Sequence, residues 1–154
     1  MMNLKEEFIH RFLKDQQLIR DKKISEFEAY CIESSKWLKL VIKEHGWPIA
    51  EKFGFESEQG AWLIAQHSSD LEFQKLCLEL MKKLPETPYR KQSIAYLTDR
   101  ILTKEGKRQM YGTQFENGKS FPIHDIKNLD KLRLEMGLEP FEEYAKIMKI
   151  HNKQ

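Results

Sequence analysis

Residues 57–81 read SEQGAWLIAQHSSDLEFQKLCLELM. They contain the longest unbroken apolar run of the chain, Ala61-Trp62-Leu63-Ile64-Ala65. A helix with apolar residues on every side is a buried helix. Gln66 and His67 follow the run at once, and Ser69-Asp70 offers a fresh helix start. Polar side chains at the end of a buried helix must meet polar partners or line a pocket. This break is where the sequence points to chemistry, although it names no reaction.

Upstream, Asn3-Leu4-Lys5-Glu6 has the form of a capping box. It opens a first helix with Leu4, Phe8, Phe12, Leu18 and Ile19 inward, fraying near Arg20–Lys23. Ser25-Glu26-Phe27-Glu28 repeats the box before Phe27, Tyr30, Cys31, Leu38, Val41 and Ile42 at helical spacing. Gly46 closes this second helix as an αL residue, and His45 suits the negative end of its dipole. Trp47-Pro48 predicts a short helix through Phe53, closed by Gly54. Ser57 is the expected N-cap of the central helix, which runs to about His67.

Downstream, Ser69 or Asp70 caps a helix with Phe73, Leu76, Cys77, Leu80 and Leu84 inward and Gln74 half-buried on the adjoining face. Thr87-Pro88 opens another, with Ile94, Leu97 and Ile101 inward and Gly106 at its end. The period then changes. Residues 109–115 alternate, with Tyr111, Thr113 and Phe115 on one face and Met110, Gly112 and Gln114 on the other. Asn117-Gly118 is a strong hairpin signal because both residues accept positive φ. A two-residue turn pairs Glu116 with Lys119 and sets Gln114 opposite Phe121. Asp125 or Asn128 caps a helix with Leu129 and Leu132 inward, closed by Gly137. A last helix follows Glu139-Pro140, with Phe141, Tyr144, Ile147 and Met148 inward. The fold class expected is mainly α: one domain of about seven helices, with a small β-hairpin packed on them.

Composition sets the outer limits. The 154 residues are 40% apolar and 11% aromatic, enough for a core. The 26 basic and 24 acidic residues are mixed along the chain, so no face reads as a nucleic-acid footprint. The opening MMNLKEEFIH carries acids where a secretory peptide is basic, and no run approaches membrane-spanning length. Cys31 and Cys77 read as buried thiols in a reducing, cytoplasmic compartment. No Cys/His cluster has metal-ligand spacing, so no metal is expected, and the sequence names no cofactor.

Two readings stand side by side for the polar residues. His67 is a core or helix-end histidine in the plainer one, and a general base at a pocket floor in the functional one. Asp70 is an N-cap, or the carboxylate that orients His67. Asp99-Arg100 is a surface pair worth little, or a buried fork holding an anion. Gln66, Gln74, Gln109, Tyr111 and Gln114 either line a ligand pocket or belong to a structural network.

Gly46-Trp47-Pro48, Gln66-His67, Tyr96-Leu97-Thr98-Asp99-Arg100 and Tyr111-Gly112-Thr113-Gln114 stand in an order that resembles a bacterial family of unknown function, DUF6624. The resemblance spans about Gly46 to Tyr144, with residues 1–45 as helices preceding it. It implies a shared polar site and no particular activity. On this reading the partner is a small polar molecule at a site built on His67. The alternative is a protein partner, bound by a helical interaction or immunity-type module. Burial predicts that the polar residues of the central helix, the 88–105 helix and the hairpin converge.

Overall fold

The computed structural model describes residues 1–153. Among them are eight helices and one two-stranded antiparallel hairpin. None of the helices is long and apolar enough to cross a membrane. Contacts divide the chain into two compact units, Met1–Leu80 and Met81–Gln154.

The first unit holds α1 (Leu4–Arg20), α2 (Ile24–His45), α3 (Ala50–Phe53), α4 (Phe55–His67) and most of α5 (Leu71–Lys82). Helix α4 packs against α1, α2 and α3. The Asn3 box forms as expected: Glu6 N donates to Asn3 Oδ1 and Asn3 N to Glu6 Oε2, each at 3.0 Å. The buried stripe of α1 differs from the expected one. It is Phe8, Arg11, Asp15 and Leu18, while Ile19 is 45% exposed. This stripe keeps helical spacing from Phe8 but carries two charged residues, which must be paired to be buried. Arg11 meets Glu33 at 2.6 and 3.0 Å and Ser34 at 3.0 Å.

Several helix starts also move. Lys22 takes a positive φ of 53°, which lets α2 begin at Ile24 with Lys23, not Ser25, as its cap residue. Helix α3 begins at Ala50, two residues beyond Pro48. Gly54, at φ 90°, ends α3 and turns directly into α4. Ser57 is therefore inside α4, its hydroxyl donating back to the Phe53 carbonyl at 2.9 Å. The buried Glu58 carboxylate accepts from Ala50 N at 2.7 Å and fixes the start of α3 onto α4. On α5 the buried face is Phe73, Gln74, Cys77, Leu78 and Met81, with Leu76 turned 49% exposed.

The second unit holds α6 (Pro88–Lys104), β1 (Phe115–Glu116), β2 (Lys119–Ser120), α7 (Leu129–Glu135) and α8 (Phe141–Lys153). Thr87 caps α6 by accepting from Arg90 N at 3.2 Å. The hairpin register is the expected one, Glu116 with Lys119, and Phe121 N donates to the Gln114 carbonyl at 3.1 Å. Asn117 and Gly118 hold the positive φ values of the turn. The alternation over 109–114 does not make a strand. Beyond a single bridge between Gln109 and Ile123 those residues form a loop instead, because the N–H groups of Met110, Tyr111 and Thr113 turn to a side chain of α6 rather than to a neighbouring strand. On α8, Ile147 is 44% exposed rather than inward.

Gly60 sets how closely α1 and α4 approach. A Cβ there would lie 3.0 Å from the Phe8 ring and 3.3 Å from the Phe8 carbonyl. Gly60→Val should push α1 outward and cost about 1–3 kcal/mol in urea denaturation, the usual penalty of overpacking.

Candidate functional site

In the first unit, His67 ends α4 and Asp15 lies in the fourth turn of α1. His67 Nδ1 is 2.7 Å from Asp15 Oδ2. An ionised carboxylate only accepts, so Nδ1 carries a proton, and in the neutral imidazole the lone pair is then on Nε2. Nε2 makes no hydrogen bond among the described residues. The His67 side chain keeps 19% of its surface exposed against 9% for Asp15. Phe27 meets the imidazole edge to face at 5.4 Å, and Gln16 Nε2 donates to Asp15 Oδ1 at 3.0 Å. The ring is therefore held by its Nδ1 side while its basic nitrogen stays free.

Asp70 does not stand in the orienting position. Its Oδ2 accepts from Lys39 at 2.7 Å and its Oδ1 caps α5 through Phe73 N at 3.0 Å. The Lys39 hydrogen bond holds this carboxyl below its ordinary range. Gln74 is fully buried rather than half-buried. Its amide donates to the carbonyls of Ala65 and Gln66 at 2.9 and 3.2 Å, closing the end of α4. Gln66 is 4% exposed, and its Oε1 has no donor among the described residues.

Cys31 of α2 brings its sulfur to the same place: one donor atom each of Asp15, Cys31 and His67 lie within 4.8 Å of one another. Three such donors from three helices have the chemistry to hold a divalent metal. The 2.7 Å between Nδ1 and Oδ2 is hydrogen-bond spacing. Two donors on one zinc ion sit roughly 3.3 Å apart or more, given metal–donor lengths near 2.1 Å. Burial, with the charge of Asp15 beside it, pushes the Cys31 thiol up to about 12. A thiol so strongly protonated is a poor nucleophile.

In the second unit the sequence-predicted residues meet around α6. Asp99 is 0% exposed, and its carboxylate gathers the 110–113 loop. Oδ1 accepts from Met110 N at 2.8 Å and Tyr111 N at 3.1 Å; Oδ2 accepts from Thr113 N at 3.0 Å and the Thr113 hydroxyl at 2.9 Å. Burial raises this carboxyl above its ordinary value, and these hydrogen bonds oppose the rise. Gln109 is a second fastener. Its Oε1 accepts from Gln114 N at 2.9 Å, and its amide donates to the Gln114 and Phe121 carbonyls at 3.1 and 2.9 Å. Gln114 donates to the Thr113 hydroxyl at 3.0 Å. Tyr111 contributes its main chain: its carbonyl accepts from Arg133 at 2.7 Å. Tyr144 closes the loop through the Thr113 carbonyl at 3.1 Å. Gly112 takes φ 65° here, and a Cβ would lie 2.8 Å from the Phe141 ring. Arg100, next to Asp99, pairs with no acceptor among the described residues.

The sequence-predicted set thus falls in two groups, Gln66, His67, Asp70 and Gln74 in the first unit and Asp99, Arg100, Gln109, Tyr111 and Gln114 in the second. Asp15, Thr113 and Arg133 were not among the expected site residues. A signal existed for two of them. Asp15 lies seven residues after Phe8 and three before Leu18, and Arg133 lies four after Leu129, so each rides a buried stripe.

Asp99→Ala should remove the acceptor of three buried N–H groups and cost on the order of 3–5 kcal/mol in urea denaturation. The thiols predict a pH effect. Cys31 and Cys77 are both pushed by burial from 9.0 to about 12. Below about pH 9 both the folded and unfolded chains keep these protons, and the stabilisation is present in full. Between about pH 9 and pH 12 only the unfolded chain ionises, so stability should fall with pH, and Cys77→Ala should flatten that slope in urea midpoints.

A family model described as Family of unknown function (DUF6624) matches residues 22–152. No curated protein and no solved structure matches the chain. The matched region includes Cys31, His67 and the whole Asp99 network, and leaves α1 with Asp15 outside it. The chain belongs to the DUF6624 family.

Proposed function

We propose that the first unit binds a small polar molecule at His67, with His67 as the base of an enzymatic step and Asp15 as its positioning residue. The observation that carries this reading is the 2.7 Å contact from Nδ1 to Asp15, which leaves Nε2 as a free lone pair on a partly exposed ring. A carboxylate behind an imidazole fixes the tautomer and stabilises the imidazolium formed on proton uptake. Asp15 takes here the part that the sequence offered to Asp70. The buried Gln66 Oε1, one residue before the histidine and lacking a donor, adds an acceptor that a polar ligand would satisfy.

A second reading is favoured by the second unit. Asp99, Gln109 and Arg133 spend their polar atoms on the 109–114 loop, as members of a structural network do. A helical module for a protein partner, of the partner-binding or immunity type, uses such a network only as scaffold.

Native mass spectrometry of protein purified without dialysis separates the two. The ligand reading expects a retained small molecule in the wild type that is lost in His67→Gln and reduced in Asp15→Asn, with the melting temperature of His67→Gln little changed. A drop of several degrees in His67→Gln, with the retained species unaffected or absent from the wild type, would sink the ligand reading and favour scaffold, since breaking a buried hydrogen-bonded pair costs about 1–3 kcal/mol.

A further inference from the structure

Arg100 is the charged side chain that the second unit leaves unanswered. Its Nε is buried without a hydrogen-bond partner. None of its guanidinium N–H groups meets an acceptor among the described residues. A guanidinium offers five donors in a rigid fork, and burying one of them, the Nε–H, without a partner is costly. Burial lowers its affinity for its proton, and among the described residues Tyr144 is the electrostatic partner that opposes the fall. Asp99, one residue earlier, is wholly occupied by the loop and does not answer it.

Arg100 lines a groove of about 300 Å³ together with Thr103, Lys104, Gln114, Phe115, Glu116 and Phe121. The groove is lined by residues of the second unit, whereas His67 belongs to the first. Its chemistry is specific. One planar cation matches a carboxylate through two parallel N–H···O bonds. Two half-buried phenyl rings supply apolar walls. Phe115 is itself braced, stacked on Phe141 with centroids 6.0 Å apart and edge-on to Tyr144 at 5.5 Å. The exposed Lys104 and Glu116 of the same groove carry opposite charges, so Arg100 sets a balance of one positive charge, which a single carboxylate answers.

We propose that this groove is a binding site for a monoanionic carboxylate with a flat apolar body, the carboxylate on the Arg100 fork and the body between Phe115 and Phe121. The site goes beyond the His67 reading and does not depend on it.

Benzoate is the probe, with inorganic phosphate as the control anion, titrated into the full chain by calorimetry and by ¹H–¹⁵N spectra of arginine Nε–H. The wild type should bind benzoate saturably at one site, shift the Arg100 Nε–H resonance and bind phosphate far more weakly. Arg100→Gln should weaken benzoate by about ten- to hundredfold, the worth of a charge-assisted fork. Arg100→Lys, which keeps the charge and loses the fork, should fall between and serves if Arg100→Gln does not fold. Absence of saturable benzoate binding by the wild type overturns the proposal, as does binding that leaves Arg100 Nε–H unmoved or is equal in Arg100→Lys. Phosphate binding as tightly as benzoate overturns the assigned ligand class. Loss of the His67-dependent retained species in His67→Gln leaves benzoate binding intact, so failure of either reading is visible by itself.

Discussion

A carboxylate buried without a cation must collect hydrogen bonds or give up its charge, and the second unit is built around that necessity. Asp99 has no ion-pair partner among the described residues. Its two oxygens instead take three main-chain N–H groups and one hydroxyl from residues 110–113. Each of those donors is thereby unavailable to a β-ladder. The hairpin consequently shrinks to the two residue pairs beside its turn, and the stretch before it becomes a loop wrapped on the α6 side chain. Gln109 and Arg133 finish the wrapping by answering the loop's remaining polar atoms. Gly112 supplies the positive φ that the path requires where Phe141 leaves no room for a Cβ.

The neighbouring residue makes the contrast that gives the unit its functional interest. Asp99 is saturated, while the buried Arg100 Nε–H meets no acceptor among the described residues. Natural interiors rarely leave a polar group unanswered, and such a group is more informative than a satisfied one. The satisfied residues of the motif Tyr96–Arg100 act as structure. The unsatisfied one points outward to chemistry that the chain itself does not provide.

The first unit follows the same rule with a different outcome. One of its buried acids, Asp15, meets a histidine and a glutamine rather than a lysine or arginine. A His–Asp contact differs from a lysine pair in one respect: the imidazole has a second nitrogen, and satisfying the carboxylate with Nδ1 leaves Nε2 basic. The pair satisfies the buried carboxylate and leaves a ring nitrogen over, the arrangement on which the proposed role of His67 as a base rests. Because α1 lies outside the family match, the acid that holds this histidine comes from a segment the family model does not include. Asp70, which sits within the family region, is spent on Lys39 and the start of α5.

Local chemistry was legible in the sequence. The helical class, the Asn3 box, the Thr87 cap, the glycine closures and the hairpin register all depend on residues within a few positions of one another. Their energetics are decided there. The identity of the buried polar partners was not legible, because burial of a charge is settled by what stands across from it. Nothing within α1 says that Asp15 will face His67, fifty-two positions later. Nothing within the alternating 109–115 stretch says that an acid on a preceding helix will take its N–H groups. Period and capping are properties of a segment, and they determined the elements. Satisfaction of a buried charge is a property of the packed molecule, and tertiary structure alone decided which histidine is held, which aspartate is spent and which arginine is left waiting.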